Sequence, residues 1–220
     1  EYFSGWLNKL FNDAEGKMVV NKLNTKQKAD IRIRIGKVSK YISIKCGDDN
    51  EFHSEKINTF IPFLRSIGVS NFALKHIILF HWGDNTLDGT GRTRFTSEEI
   101  RRVNRDVFLK VNRELKNHNI IKKVVKRCII QGREKTNKEI DGIYHGTVRH
   151  GFFITKAQIY KILMRKSYSR YNGTINISKL TYQSGSRNLY RNPELEVRRQ
   201  NSTIKWRTFI QDATFEIEYG

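Results

Sequence analysis

The residues best suited to chemistry lie close together in the first quarter of the chain: Asp30, then the run Ser43-Ile44-Lys45. Ala29 to Ile35 alternates Ile31, Ile33 and Ile35 against Arg32 and Arg34, and Tyr41 to Cys46 reads as the next strand. The link between them, Gly36 to Lys40, is short enough for an antiparallel hairpin. Residues two apart on a strand face the same way, so Ser43 and Lys45 share a face and the hairpin partner can bring Asp30 beside them. An acid and a lysine converge there. A carboxylate offers oxygen to a hard cation, and an ammonium offers positive charge to a developing anion. Three further residues extend the group: Glu55, ten positions after Lys45, His53 just before it, and Glu15 at the end of the first predicted helix. Each also has an ordinary structural use. Asp before a strand serves turns, Lys on a half-exposed strand is a solvated flank, and Glu near a helix start suits the macrodipole.

The elements that must position these residues follow from periodicity. Trp6, Leu7, Leu10 and Phe11 recur at helical spacing within Tyr2 to Ala14, and Gly16 is a stop. Met18 to Leu23, Ala29 to Ile35 and Tyr41 to Cys46 form three strands, and residues 47–50 a turn. Ile57, Phe60, Ile61 and Leu64 mark a second amphipathic helix ending near Gly68, with Glu55 expected in its first turn. His76 to Trp82 reads as a buried strand, which gives the order α, β, β, β, α, β and a mixed sheet covered by helices. After the glycine-rich loop of residues 83–91, Thr96 and Glu99 form a capping box. Ile100, Val103, Val107, Val111 and Leu115 then line one long helix. Val124 to Ile130, Ile143 to Val148 and Phe152 to Ile154 read as strands, and Thr155 caps a short helix through Leu163.

That element order, with Asp30 opening one strand and Ser43-Ile44-Lys45 on the next, resembles the PD-(D/E)XK nuclease superfamily, the restriction-endonuclease-like fold. The resemblance covers roughly residues 1–82. It implies carboxylates that bind Mg²⁺ and a lysine, Lys45, that positions or activates the attacking water and stabilises charge on the scissile phosphate. The metal set it implies is Asp30, Glu55 and Ile44. Two positions depart from the family pattern. Alanine rather than proline precedes Asp30, and Ser43 stands where a second carboxylate is expected. Some restriction enzymes of the superfamily carry a similar Ser-x-Lys and draw the missing glutamate from the following helix, which points to Glu55. Family members also place a Glu at the end of the first helix to orient a water, which points to Glu15, and His53 is placed to bind a phosphate or a water.

The charge has its own distribution. The 220 residues contain 41 Lys and Arg against 22 Asp and Glu, a net +19, which points to a polyanionic partner. Residues 1–100 hold 15 basic and 12 acidic side chains, whereas residues 101–220 hold 26 and 10. A near-neutral half is thus joined to a basic binding half. The candidate phosphate contacts on the predicted long helix and beyond it are Arg101, Arg105, Lys122 and Lys123. A last lobe interleaves Arg187, Asn188, Arg191, Arg198, Arg199, Lys205 and Arg207 with Tyr and Trp, and Arg with Asn is the chemistry that reads guanine and adenine edges.

Several classes are set aside. Two cysteines exclude a disulfide framework and a four-thiolate zinc site. No apolar run approaches the roughly 20 residues of a membrane span, and the start has no signal-peptide character, so a cytoplasmic location is expected. Gly142-Ile143-Tyr144 lacks the second triplet of a GIY-YIG nuclease. His145 and His150 lack the partners of a zinc or HNH site, and residues 89–91 lack the ending of a P-loop.

The expectation is therefore an α/β protein of restriction-endonuclease-like type. Residues 1–95 form the nuclease-like core, and residues 96–220 form a basic nucleic-acid-binding half packed on it. Its expected activity is Mg²⁺-dependent cleavage of duplex DNA in the manner of a type II restriction enzyme, with a homodimer to cut both strands. The alternatives are a nuclease-fold protein that binds nucleic acid without cutting it, and an RNA-directed nuclease.

Overall fold

The computed structural model describes residues 2–12, 14–24, 26–46, 51–91, 95–147, 149–165, 174–184 and 201–205. It is a mixed α/β structure whose chain packs as two units. The first is built from Glu1–Asn50 and Val125–Ile162, the second from Glu51–Val124 and Leu163–Arg207. The division expected at residue 95 does not coincide with these units, since each is assembled from separated stretches of chain.

The first unit holds the site-bearing hairpin. Helix α1 (Tyr2–Phe11) leads into β1 (Met18–Lys22), β2 (Ile31–Ile35) and β3 (Val38–Lys45), which pair antiparallel in that order. β2 and β3 are joined by the two-residue turn Gly36–Lys37, with Gly36 in the left-handed region at φ 55°. β5 (Gly142–Gly146) lies parallel to β3, and β6 (Gly151–Thr155) closes the sheet antiparallel to β5. Period-two alternation assigns the two faces. Ile33, Ile42 and Tyr144 project to the side covered by α1 and form a core with Phe11, while Trp6 stacks on Phe153 at 4.5 Å. Helix α7 (Lys156–Met164) follows β6 through the expected cap. Thr155 Oγ1 accepts the Gln158 N–H at 3.2 Å, and Gln158 Oε1 accepts the Thr155 N–H at 2.9 Å.

The second unit has its own antiparallel sheet, in the order β4 (Glu51–Lys56), β9 (Asn201–Lys205), β8 (Leu180–Ser184), β7 (Ile175–Ile177). Helices α2 (Ile57–Ser66), α3 (Asn71–Trp82) and α5 (Arg105–Leu115) pack against it. Phe60 stacks on Tyr182 at 5.9 Å, and Phe80 meets Phe108 edge-on at 5.3 Å. Tyr182 hydroxyl and His81 Nδ1, both fully buried, lie 2.7 Å apart.

Three elements differ from the sequence expectation. His76 to Trp82 is the second half of helix α3, capped by Ser70, which accepts the Ala73 N–H, and ended by Gly83 at φ 67°. A wholly apolar run does not declare its period, and here the flanking cap and glycine decide. The strand parallel to β3 is β5, reached after residues 51–124 have entered the second unit. Val124 to Ile130 is the end of helix α6 (His118–Val125) and a π-helical turn, Lys126–Gln131, with Cys128, Ile129 and Ile130 buried. The single long helix after Thr96 is broken at Asn104 into α4 (Ser97–Val103) and α5. Val103 consequently stands 76% exposed while Phe108, Val111 and Leu115 are buried. No helix among the described residues is long and apolar enough to cross a membrane.

Candidate active site

Asp30 sits at the mouth of the β2–β3 hairpin. Its N–H donates to the Ile42 carbonyl at 2.9 Å and its own carbonyl accepts the Leu23 N–H at 2.8 Å, so neighbouring strands hold its backbone from both sides. Its carboxylate accepts two hydrogen bonds on the same oxygen: the Ser43 hydroxyl donates to Oδ2 at 3.0 Å and the Ile44 N–H at 2.6 Å. Ser43 is buried at 4% exposure whereas Asp30 is exposed, so the contact anchors the carboxylate from below and leaves it open to solvent. Lys45 follows on the Ser43 face of β3, as the spacing predicts.

The register with β5 adds a residue that sequence reasoning weighed only as a metal ligand alongside His150. His145 pairs with Lys45 across the parallel ladder and shares its face. Its buried ring is stacked on Phe152 at 5.4 Å. Only the parallel pairing, which has no local sequence signal, brings it there. His150 lies instead in the exposed turn between β5 and β6.

The donor set fits a hard cation in a limited form. Backbone N–H and C=O of one strand residue point the same way, so the Ile44 carbonyl faces the side on which its N–H meets Asp30. One carboxylate and one carbonyl would then hold the ion, with water completing the shell, as Mg²⁺ tolerates. Among the described residues no three His, Cys, Asp or Glu side chains gather into a metal cluster.

The remaining candidates lie on other elements. Glu15 is not brought to Asp30. Its carbonyl lies where a Cβ on Gly36 would meet it at 2.5 Å, at the far end of β2, about 20 Å of extended strand from Asp30. Helix α1 ends at Phe11, three residues before Ala14, and Glu15 therefore belongs to the link and not to the helix. Glu55 is not in the first turn of a helix but on β4, an edge strand of the second unit paired with β9. It shares a strand face with His53, whose Nε2 lies 3.0 Å from Glu55 Oε1. Both side chains are largely buried, and the Glu55 carbonyl accepts the Ser202 hydroxyl at 2.8 Å. Thus Asp30, Ser43, Ile44 and Lys45 come together in the first unit, and His53 with Glu55 in the second.

Of the basic residues, Arg105 opens α5, and Lys122 and Lys123 are exposed on α6 opposite the buried Ile120, Ile121 and Val124. Arg101 falls in α4, with its side chain outside the described set. Lys205 ends β9, paired with both Glu51 and Thr181, and is half-buried. Arg187, Asn188, Arg191, Arg198, Arg199 and Arg207 lie outside the described residues.

No protein-family model matches the sequence, and no curated protein matches it significantly. Among solved structures, the chain is similar to restriction endonuclease MspI in complex with its cognate DNA. Sequence identity is 15% and the TM-score 0.51, over 92% of this chain and 76% of that one. The likeness establishes a fold of the restriction-endonuclease type.

Proposed function

We propose that this chain is a Mg²⁺-dependent endonuclease that hydrolyses phosphodiester bonds in duplex DNA, in the manner of a type II restriction enzyme. The observation that carries the reading is the Asp30 carboxylate. It is fixed by the Ser43 hydroxyl and the Ile44 N–H, with Lys45 next on the same face, in a fold of restriction-endonuclease type. Asp30 and the Ile44 carbonyl would hold the cation. Bound Mg²⁺ would supply a Lewis acid at the phosphate and lower the pKa of water. The chain's own contribution is positional and electrostatic. Ser43 and the Ile44 amide keep the carboxylate from rotating away, and the Lys45 ammonium stands where negative charge grows on the phosphate. Glu55, paired with His53, is retained as a candidate second carboxylate. The basic residues of α5 and α6 and of the segment 187–207 supply the grip on DNA. A two-fold dimer would cut both strands.

Ser43 itself favours a second reading, a nuclease-fold protein that binds DNA without cutting it, because a neutral hydroxyl cannot act as a charged ligand. Plasmid DNA incubated with the protein and Mg²⁺ separates the two. Cleavage that stops in EDTA and falls by about 10²–10³ in Lys45→Ala, at unchanged DNA affinity, fits the enzyme. Retarded but intact DNA of many sequences fits the binding protein, and cleavage confined to RNA redirects the substrate.

A further inference from the structure

The hairpin that carries Asp30 also carries Arg32 and Arg34 on the same face. Arg32 pairs across the ladder with Tyr41 and Arg34 with Ser39, and Tyr41 and Ser39 share the face of Ser43 and Lys45. At about 3.4 Å per residue, Arg32 lies about 7 Å from Asp30 along the strand and Arg34 as far again. None of the five strands of this sheet contains Asp or Glu; the acids at its strand ends include Asp30 and Asp141, and the Asp141 carboxylate is taken by the Tyr41 N–H at 2.8 Å and by Lys40 at 3.3 Å. Neither arginine has a carboxylate partner among the described residues. Arg32 donates from Nη2 to Asn21 Oδ1 at 3.2 Å, while its Nε is buried with no hydrogen-bond partner among them. An arginine that merely flanks a sheet keeps its donors in water, because an unsatisfied buried donor costs about 1–3 kcal/mol. A guanidinium fixed by Asn21, on one face with a second, exposed arginine and with no ion pair to a carboxylate among the described residues, suits a phosphate oxygen.

We infer that Arg32 and Arg34 bind successive backbone phosphates of the nucleic-acid strand next to the scissile one, so that the near-neutral half of the chain grips the substrate as well as cutting it. This rests on the reading of Asp30 and Lys45 as the cleavage site. The test is the affinity of the full chain for a fluorescein-labelled DNA duplex of mixed sequence, measured in EDTA at NaCl concentrations from roughly 50 to 200 mM. Each phosphate contact contributes about 0.9 to the slope of log K against log[salt]. Arg32→Gln with Arg34→Gln should therefore lower the slope by about 1.8, which is ~60-fold in affinity at 0.1 M salt if the affinities meet at 1 M. Arg34→Gln alone, at an exposed position, should lower it by about 0.9. Lysine at both positions should restore the slope. An unchanged slope in variants that melt like the parent overturns the inference, and leaves the cleavage reading intact if the parent cuts DNA. A reduced slope with a parent that cuts nothing supports the phosphate-binding face and overturns the cleavage reading alone.

Discussion

Removing the Ser43 hydroxyl tests whether Asp30 is held by design of the hairpin. Ser43→Ala deletes the 3.0 Å donor to Asp30 Oδ2 and leaves the Ile44 N–H in place at 2.6 Å. A hydrogen bond to a charged group contributes about 1.5–3 kcal/mol, but Asp30 is exposed and water can take the vacated lone pair, so the expected loss is about 1 kcal/mol. For a chain of this length that is a fall in Tm of roughly 2–4 °C. In an Asp30→Ala background the same substitution should cost almost nothing, because the buried hydroxyl has already lost its acceptor. The double-mutant cycle should thus return a coupling of about 1 kcal/mol, read from thermal or urea unfolding of the four proteins. On plasmid cleavage, Ser43→Ala should lose less than about tenfold, since the backbone donor still orients the carboxylate, whereas Asp30→Ala should lose more than about a hundredfold. Additive stabilities, with coupling below about 0.3 kcal/mol, would refute the anchoring argument. Cleavage that survives Asp30→Ala would refute the site.

Two further predictions concern the scaffold of the same unit. Gly36→Ala places a Cβ 2.5 Å from the Glu15 carbonyl at a residue with φ 55°, so the variant should lose at least ~1–2 kcal/mol; an unchanged melting curve would show that the β2–β3 turn is not the constraint described. The Glu139 carboxyl is held below the usual carboxylate range, first by the hydrogen bond from Lys126 at 3.0 Å, against the opposing effect of burial, with Lys156 at 3.1 Å adding to it. A depressed native pKa gives stability that is present above the unfolded-state value and lost as pH falls through the native one. Between pH values of about 6 and 3 the parent should therefore lose stability faster than Glu139→Gln, by roughly 0.2–1 kcal/mol for these partly exposed pairs. Parallel curves across that range would show that the ion pairs contribute nothing.

What could be read from sequence was whatever the chain decides locally. The β2–β3 hairpin has two signals of short range, the Ile/Arg alternation and a glycine turn, and those alone place Asp30 against Ser43. The caps at Thr96 and Thr155 are equally local. Errors arose where a distant partner sets the structure. Glu51–Lys56 is a strand because β9, some 150 residues later, pairs with it, whereas its local sequence carries only the signal of the helix that follows and so suggests a helical Glu55. His76 to Trp82 is apolar on every side, so its helical period is invisible without the cap at Ser70 and the stop at Gly83. His145 reaches the face of Lys45 through a parallel pairing that spans a hundred residues. The candidate site was legible because its first contacts lie within one hairpin, and its neighbours were not because they come from elsewhere in the chain.

The hydroxyl at position 43 also has an electrostatic consequence. Ser43 is buried and in direct contact with Asp30 Oδ2, so a carboxylate in its place would set two like charges about 3 Å apart with little water between them. At an effective dielectric constant of about 20 that repulsion is on the order of 5 kcal/mol, which only a bound cation or a shared proton relieves. A hydroxyl reverses the interaction, since it donates to Asp30 where a second carboxylate would repel it. The site is thereby self-consistent without a cation, and the Asp30 carboxyl stays oriented. The cost falls on cation affinity, because one formal negative charge and a carbonyl attract Mg²⁺ less than two carboxylates do. A chain built this way has to recover binding energy from the phosphates themselves, and Arg32 and Arg34, on the same face and without a carboxylate partner among the described residues, would provide it in the phosphate-binding role inferred above.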